Sequence, residues 1–104
     1  MKRFSVYLVK LDPVMGKEIN KTRPVVIVSP DEMNDKINTV IIAPMTSVIR
    51  NWASRVPVHF NNKNGEVILD QIRSVDKSRL KKKLGELRGN VTFEILRKLR
   101  EIFS

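Results

Sequence analysis

The feature that most constrains the fold of this chain is a series of short apolar runs, each bounded by proline, glycine or polar residues. Such runs, rich in β-branched and aromatic residues, are typical of strands of four to eight residues. They occupy residues 4–11, 25–28, 39–43, 55–60 and 66–72, and a shorter basic strand is expected over residues 81–87. Pro44 is expected to end the third strand, and Pro57 predicts that the fourth is an edge strand. None of the runs is long enough to cross a membrane as a helix.

Only the C-terminal segment, residues 91–102, has the apolar period of an α-helix. Its predicted apolar stripe consists of Phe93, Ile95, Leu96, Leu99, Ile102 and Phe103. Several short strands followed by one terminal helix predict a mainly β fold. We expect a strongly bent sheet or partly open barrel of about five to seven strands, covered by the helix. The length of 104 residues predicts a single domain over residues 1–104.

The charge balance indicates the class of partner. The chain has 20 Lys and Arg residues against 11 Asp and Glu residues, a net charge of +9. Residues 73–88 alone contain 7 basic and 2 acidic residues. This Arg73–Arg88 segment is expected to bind RNA or an acidic protein partner, or simply to keep the protein soluble.

Composition excludes several kinds of chemistry. The chain has no cysteine, which excludes disulfides, thiolate catalysis and cysteine-ligated zinc. A single histidine, His59, excludes a pair of catalytic histidines and a multi-histidine metal site. No apolar segment follows the basic N-terminus, so no signal peptide is predicted and a cytoplasmic protein is the expectation.

Polar residues at the ends of the predicted strands form three candidate site clusters. They are Gly16-Lys17-Glu18 with Thr22-Arg23-Pro24, then Pro44-Met45-Thr46-Ser47, and finally Asp70-Gln71 with Arg73. Metal-free cleavage of RNA by its own 2′-hydroxyl needs a proton acceptor, a group that stabilises negative charge and a proton donor. Glu18, Arg23 and Thr46 supply these residue types. The same residues are also compatible with solvated strand ends and turn chemistry.

The order of these clusters resembles the MazF/PemK toxin family. The resemblance rests on the pattern from Gly16 through Glu18 to Arg23-Pro24, on the segment 44–47, and on the segment from Asp70-Gln71 to Asp76. It runs from about residue 5 to the terminal helix. The resemblance implies an SH3-like barrel with a C-terminal α-helix that works as a homodimer.

The resemblance also implies a toxin of a type II toxin–antitoxin module. Such toxins are ribosome-independent, sequence-specific endoribonucleases that cleave single-stranded RNA without metal or other cofactor. Arg23 and Thr46 match the family's catalytic arginine and threonine, and Glu18 matches a loop glutamate that serves as base or contacts the RNA bases. Thr22, Ser47, Asp70 and Gln71 are the auxiliary or substrate-binding residues.

Two departures from the family pattern bear on the mechanism. Some relatives pair the aspartate matched by Asp70 with an arginine two residues earlier, and Ile68 occupies that position here. Thr22 stands where some relatives have histidine. Both departures favour a mechanism based on Arg23 and Thr46.

The family's antitoxins are acidic, with a disordered tail that covers the RNA groove, and residues around Trp52 are a candidate part of that groove.

Two alternatives remain open from the sequence. One is a gyrase-poisoning toxin on the same fold, which the chain end 101–104 resembles only weakly. The other is an RNA-binding module without catalytic activity.

Overall fold

The computed structural model describes residues 1–10 and 22–104 of the chain. The strands are β1 (Ser5–Lys10), β2 (Thr22–Ile27), β3 (Thr39–Thr46), β4 (Arg55–Phe60), β5 (Lys63–Ile68), β6 (Arg73–Asp76) and β7 (Leu80–Glu86). The helices are α1 (Asp31–Lys36) and α2 (Asn90–Phe103), and 3₁₀ turns cover Leu69–Gln71 and Lys77–Arg79.

The strands pair antiparallel in the order β4-β5-β3-β2-β1-β7, and β6 adds to β3. The central strand β3 bends the sheet because it has two different neighbours on the side away from β2. Its residues Thr39–Ile42 pair with β6, whereas Met45 and Thr46 pair with β5. The prediction of a mainly β, partly open barrel with a C-terminal helix is confirmed.

The core has a cluster on each face of the central strands. Val26 and Ala43 belong to the larger cluster, which Ile95 of α2 completes, whereas Val25 and Ile42 belong to the smaller one. Alternate residues of one strand point to opposite faces of the sheet, so a strand buried on both faces must be apolar throughout. The continuous run 25–28 is therefore explained, since all four side chains are buried.

Pro44 does not end β3, contrary to the sequence prediction, because the strand continues to Thr46. Pro44 pairs with Val25 of β2 and lies between the residues that pair with β6 and those that pair with β5. A missing backbone donor at this position interrupts neither of those two ladders. Consequently Thr46 is the last residue of a strand and not part of a turn.

The ends of the predicted helical stripe also differ from expectation. Ile95 is fully buried, but Phe93 and Phe103 are each 71% exposed. Phe93 lies about 200° around the helix from Ile95 and so points away from the sheet, whereas Phe103 is the last residue of α2. Within residues 1–10 and 22–104, no helix is long and apolar enough to cross a membrane.

Candidate active site

A cleft of about 390 Å³ opens between the start of β2, the end of β3 and the hairpin that joins β4 to β5. The described residues that line it are Thr22, Arg23, Pro24, Met45, Thr46, Ser47, Val58, Phe60, Asn61, Lys63, Asn64, Gly65 and Leu84. Four of the predicted site residues, Thr22, Arg23, Thr46 and Ser47, therefore share one cleft although two sequence clusters supply them.

The pairing of β2 with β3 brings Arg23 and Thr46 together. Val25 pairs with Pro44, and Arg23 and Thr46 each lie two residues beyond this pair, at the same end of the sheet. Strands of a sheet hold neighbouring residues at fixed separations. The two residues are thus positioned by rigid strands at the rim of the cleft.

The environment of Thr46 leaves its hydroxyl proton available. Thr46 is half-buried, and its Oγ1 accepts a hydrogen bond from the backbone N–H of Val48 at 3.1 Å. A hydroxyl can accept such a bond and still donate its own proton. The contact therefore holds the oxygen in place, and no residue in the described ranges 1–10 and 22–104 accepts a hydrogen bond from the O–H, which can donate to a ligand in the cleft.

Arg23 is exposed at the rim, and no residue in the described part of the chain forms an ion pair or side-chain hydrogen bond with its guanidinium. An arginine presents five donors in a planar fork that matches the geometry of a phosphate. The cleft therefore combines a guanidinium and a hydroxyl that are both available to an anionic ligand.

Sequence analysis missed a buried carboxylate directly beside this pair. Glu66 of β5 pairs with Thr46 of β3 and is only 1% exposed. Its two carboxylate oxygens accept hydrogen bonds from the backbone N–H groups of Arg50 and Asn51, each at 3.0 Å. The Arg55 guanidinium donates to the same carboxylate at 3.3 Å.

These contacts stabilise the charged form of Glu66. The hydrogen bond from the Arg50 backbone, together with those from Asn51 and Arg55, lowers the pKa of the Glu66 carboxyl despite its burial. Glu66 thereby fixes the segment that follows Thr46 in the chain. The sequence signal was a carboxylate at the start of an apolar run, directly before Val67, Ile68 and Leu69.

The remaining predicted site residues lie elsewhere. Asp70 and Gln71 belong to a 3₁₀ turn and do not line the cleft, and Asp70 accepts a hydrogen bond from the Ser54 hydroxyl at 2.9 Å. Glu18 lies outside the described residues. Trp52 is 53% exposed and also lies outside the cleft, with the Arg55 guanidinium 4.6 Å from its ring centroid.

The basic Arg73–Arg88 segment is separate from the cleft, because only its Leu84 belongs to the lining. Several of its cations have partners within the fold. Lys83 and Arg88 both pair with Glu86, and Lys77 donates to the backbone carbonyl of Asn34. These partners reduce the number of charges that remain available to a ligand.

Comparison with known proteins gives the family of this fold and cleft. The family model for the PemK-like, MazF-like toxin of type II toxin-antitoxin system matches residues 2–103. The chain is 40% identical over 92 residues to the Endoribonuclease MazF of Staphylococcus saprophyticus. The match covers 81% of this chain and 75% of that relative. It is 37% identical over 103 residues to the Endoribonuclease MazF of Staphylococcus epidermidis. This match covers 91% of this chain and 84% of that relative.

A solved structure agrees with the same assignment. The crystal structure of MazE-MazF (Form-II) from Deinococcus radiodurans superposes with a TM-score of 0.84 at 25% identity, over 99% of this chain and 95% of that chain. The fold is thus that of a small toxin built on a half-open barrel. This chain belongs to the PemK-like, MazF-like toxins of type II toxin-antitoxin systems.

Proposed function

We propose that this endoribonuclease toxin cleaves single-stranded RNA at short specific sequences, independently of the ribosome, with Arg23 and Thr46 acting on the scissile phosphate. The observation that supports the proposal is that both side chains line one cleft with their donor groups available. An anion-binding pair at the end of two rigid strands suits a phosphodiester whose charge increases during reaction.

In the proposed reaction the ribose 2′-oxygen attacks the adjacent phosphorus and the bond from phosphorus to the 5′-oxygen breaks. The 2′-hydroxyl loses its proton to a base, and the departing 5′-oxygen gains one. The products carry a 2′,3′-cyclic phosphate and a 5′-hydroxyl. The Arg23 guanidinium neutralises the additional charge on the phosphorane, and the Thr46 hydroxyl donates to a non-bridging oxygen.

The other predicted residues have supporting roles in this proposal. Thr22 and Ser47 line the same cleft and are able to contact the RNA beside the scissile bond. Glu18 is the proposed base or base-contacting residue. Asp70 and Gln71 lie outside the cleft lining, so their proposed role is to bind RNA beyond the scissile nucleotide.

The proposed partners follow from charge and exposed apolar surface. A net charge of +9 suits an acidic antitoxin whose tail competes with RNA for the toxin. Exposed Phe93, Ile102 and Phe103 on α2 support a homodimer, because large apolar side chains in solvent favour association. The RNA substrate implies action in the cytoplasm.

The test is incubation of the purified toxin with a broad panel of single-stranded RNAs in excess chelator. Cleavage at recurrent short sequences, with 5′-hydroxyl and cyclic phosphate ends, is the expected result. Intact RNA throughout the panel would overturn the proposal, and inhibition of DNA supercoiling by the same sample would favour a gyrase poison instead. RNA binding with a steep salt dependence but without cleavage would indicate a non-catalytic binding module.

A further inference from the structure

The cleft has a second positively charged side chain, which the proposed cleavage chemistry does not use. Lys63, the first residue of β5, lines the cleft together with Arg23. It is exposed, and its ammonium group forms no ion pair or hydrogen bond with any residue in the ranges 1–10 and 22–104. The charge of Lys63 is therefore available to a ligand in the cleft.

The strand register directs Lys63 toward the end of β3. Successive residues of a strand point to opposite faces, so Lys63 shares a face of the β4–β5 hairpin with Gly65 and with its paired residue Phe60. This face is turned toward β3, because a Cβ atom at Gly65 would lie 2.3 Å from the carbonyl oxygen of Thr46 and 3.6 Å from Ser47 Cα. Lys63 thus extends from the wall of the cleft that faces the end of β3.

A tight turn fixes the backbone of Lys63. Phe60 and Lys63 form the last pair of the β4–β5 ladder, and only Asn61 and Asn62 lie between them. These two asparagines have φ angles of 50° and 61°, as in a two-residue hairpin turn. The backbone is therefore held at one end of the cleft, while the flexible stem of the lysine lets its ammonium group adapt to a ligand.

The described residues that line the cleft include no acidic side chain that could balance this charge. The buried carboxylate of Glu66 belongs to the opposite face of β5 and already has its own hydrogen-bond donors. Arg23 and Lys63 therefore give the cleft two separate positive groups. Such an arrangement favours a ligand with more than one negative charge.

The two cations lie at different levels of the sheet. Arg23 lies level with Thr46, since each is two residues beyond the pair of Val25 and Pro44. Lys63 is three residues beyond the partner of Thr46 in β5. At about 3.4 Å per strand residue, the backbone of Lys63 lies roughly 10 Å further along the sheet. This separation suits successive phosphates of one strand better than a single phosphate.

We propose that Lys63 binds the phosphate of a nucleotide next to the scissile bond, so that the RNA strand crosses the cleft from Arg23 to the β4–β5 hairpin. This inference rests on the proposed function, because that phosphate belongs to the RNA whose scissile phosphate meets Arg23 and Thr46. Contacts with phosphates position a strand and carry no sequence information. Lys63 is therefore a substrate-binding residue that sets the affinity for RNA and not the cleaved sequence.

The first test is the salt dependence of binding to a random single-stranded 2′-fluoro RNA library, which lacks the attacking hydroxyl. The deciding substitution is Lys63→Gln, which removes the charge and keeps a polar side chain. Lys36→Gln is the matched control, because it removes the same charge from an exposed lysine of α1 that does not line the cleft. Lys63→Arg keeps the charge at the original position.

We expect Lys63→Gln to weaken binding at low salt about three- to tenfold. The slope of log affinity against log salt should fall in magnitude by about 0.7, the value for one phosphate contact on a single strand. Lys63→Arg and Lys36→Gln should keep the affinity and the slope of the unaltered chain. An unchanged affinity and slope for Lys63→Gln would overturn the proposal. Weaker binding of a polyglutamate peptide by that variant would then assign Lys63 to an acidic protein partner instead.

Cleavage kinetics distinguish a neighbouring phosphate from the scissile one. A contact beside the scissile bond predicts a higher KM for Lys63→Gln, with a single-turnover rate at saturating toxin within about twofold of the unaltered chain. The cleaved sequence should stay the same. A decrease of the saturating rate by about tenfold or more would place Lys63 on the scissile phosphate and overturn its assignment to a neighbouring one.

The binding measurement separates failure of this assignment from failure of the proposed function. If the unaltered chain cleaves no RNA, the proposed function fails, but a smaller salt slope for Lys63→Gln would still support the phosphate contact. An unchanged slope would overturn the contact whether or not the chain cleaves RNA.

Discussion

At the scale of single residues, two charged side chains near the cleft have opposite environments. Arg23 is exposed and without a described partner, whereas Glu66 is buried and saturated by hydrogen bonds. A free guanidinium is suited to bind an anion, and a saturated carboxylate is suited to hold structure. The residue proposed to act on the substrate and the residue that positions its neighbours thus differ in their contacts.

The pH dependence of stability tests the role of Glu66. Its pKa lies below the ordinary value of 4.5, so the folded state favours the carboxylate. The resulting stabilisation is present above about pH 4.5 and is lost as the pH falls through the lowered pKa. We expect Glu66→Gln to lower the urea unfolding midpoint near pH 7, with a difference from the unaltered chain that shrinks below pH 4.5.

The measurement is urea unfolding followed by circular dichroism between pH 3 and pH 7, which extends to both sides of the ordinary glutamate pKa of 4.5. Glu32→Gln is a matched control, because Glu32 is an exposed carboxylate in α1. Equal midpoints for Glu66→Gln and the unaltered chain at neutral pH would exclude the positioning role.

At the scale of elements, the end of β3 determines the site. Thr46 reaches the cleft because β3 continues through Pro44 and then pairs with β5. Gly65 of β5 makes this close approach possible, since a Cβ atom there would lie 2.3 Å from the carbonyl oxygen of Thr46. The position of the threonine therefore depends on a glycine in a different strand.

Substitution of Gly65 tests whether the position of Thr46 depends on this glycine. Gly65→Ala must push β5 away from the end of β3, and overpacking of this kind costs about 1–3 kcal/mol. Gly89→Ala is the comparison, because its Cβ would meet nothing within 4 Å and only its positive φ of 78° is strained. We expect both variants to lose stability by thermal unfolding, but only Gly65→Ala to lose RNA cleavage as well. Full cleavage by Gly65→Ala would contradict the account.

The elements also show how far the sequence predicts this molecule. Periodicity was sufficient for most of the strands and for the helix α2, because alternation is a local pattern. The prediction of one strand over residues 66–72 was wrong, since β5 ends at Ile68, a 3₁₀ turn covers Leu69–Gln71 and the separate strand β6 follows. The roles of Arg23 and Thr46, chosen as candidates because they lie at predicted strand ends, stay a prediction. The continuation of β3 through Pro44 and the contact of Gly65 with Thr46 depend on which strands are neighbours. Glu66 was missed for the same reason, since its hydrogen-bond donors lie 11, 15 and 16 residues away in the chain.

At the scale of the whole molecule, the positive charge is divided between two regions. Arg23 and Lys63 line the cleft, whereas the cations of the Arg73–Arg88 segment lie outside it and several have partners within the fold. The assignment of that segment to RNA, to the antitoxin or to solubility stays a prediction, as does the single domain over residues 1–104. The proposed contact of Arg23 with the scissile phosphate does not depend on that segment.

The proposed homodimer is tested by the molecular mass of the protein in solution. The exposed rings of Phe93 and Phe103 lead us to expect a sedimentation-equilibrium mass near twice the 12.0 kDa of one chain. Replacing both rings with serine should leave the protein folded and weaken association, because neither ring belongs to the buried core. A mass of one chain at micromolar concentrations would contradict the proposed homodimer.

The central claim is that Arg23 and Thr46 perform the cleavage chemistry in the cleft. The most direct measurement is the single-turnover rate of RNA cleavage for Arg23→Ala and Thr46→Val, with Arg88→Ala as a control on a surface arginine outside the cleft. Loss of a donor to a charged transition state predicts a decrease of about a hundredfold or more for the two cleft variants. We also expect all three variants to keep the melting temperature of the unaltered chain, and Arg88→Ala to keep its cleavage rate. Cleavage by Arg23→Ala at the rate of the unaltered chain would contradict it.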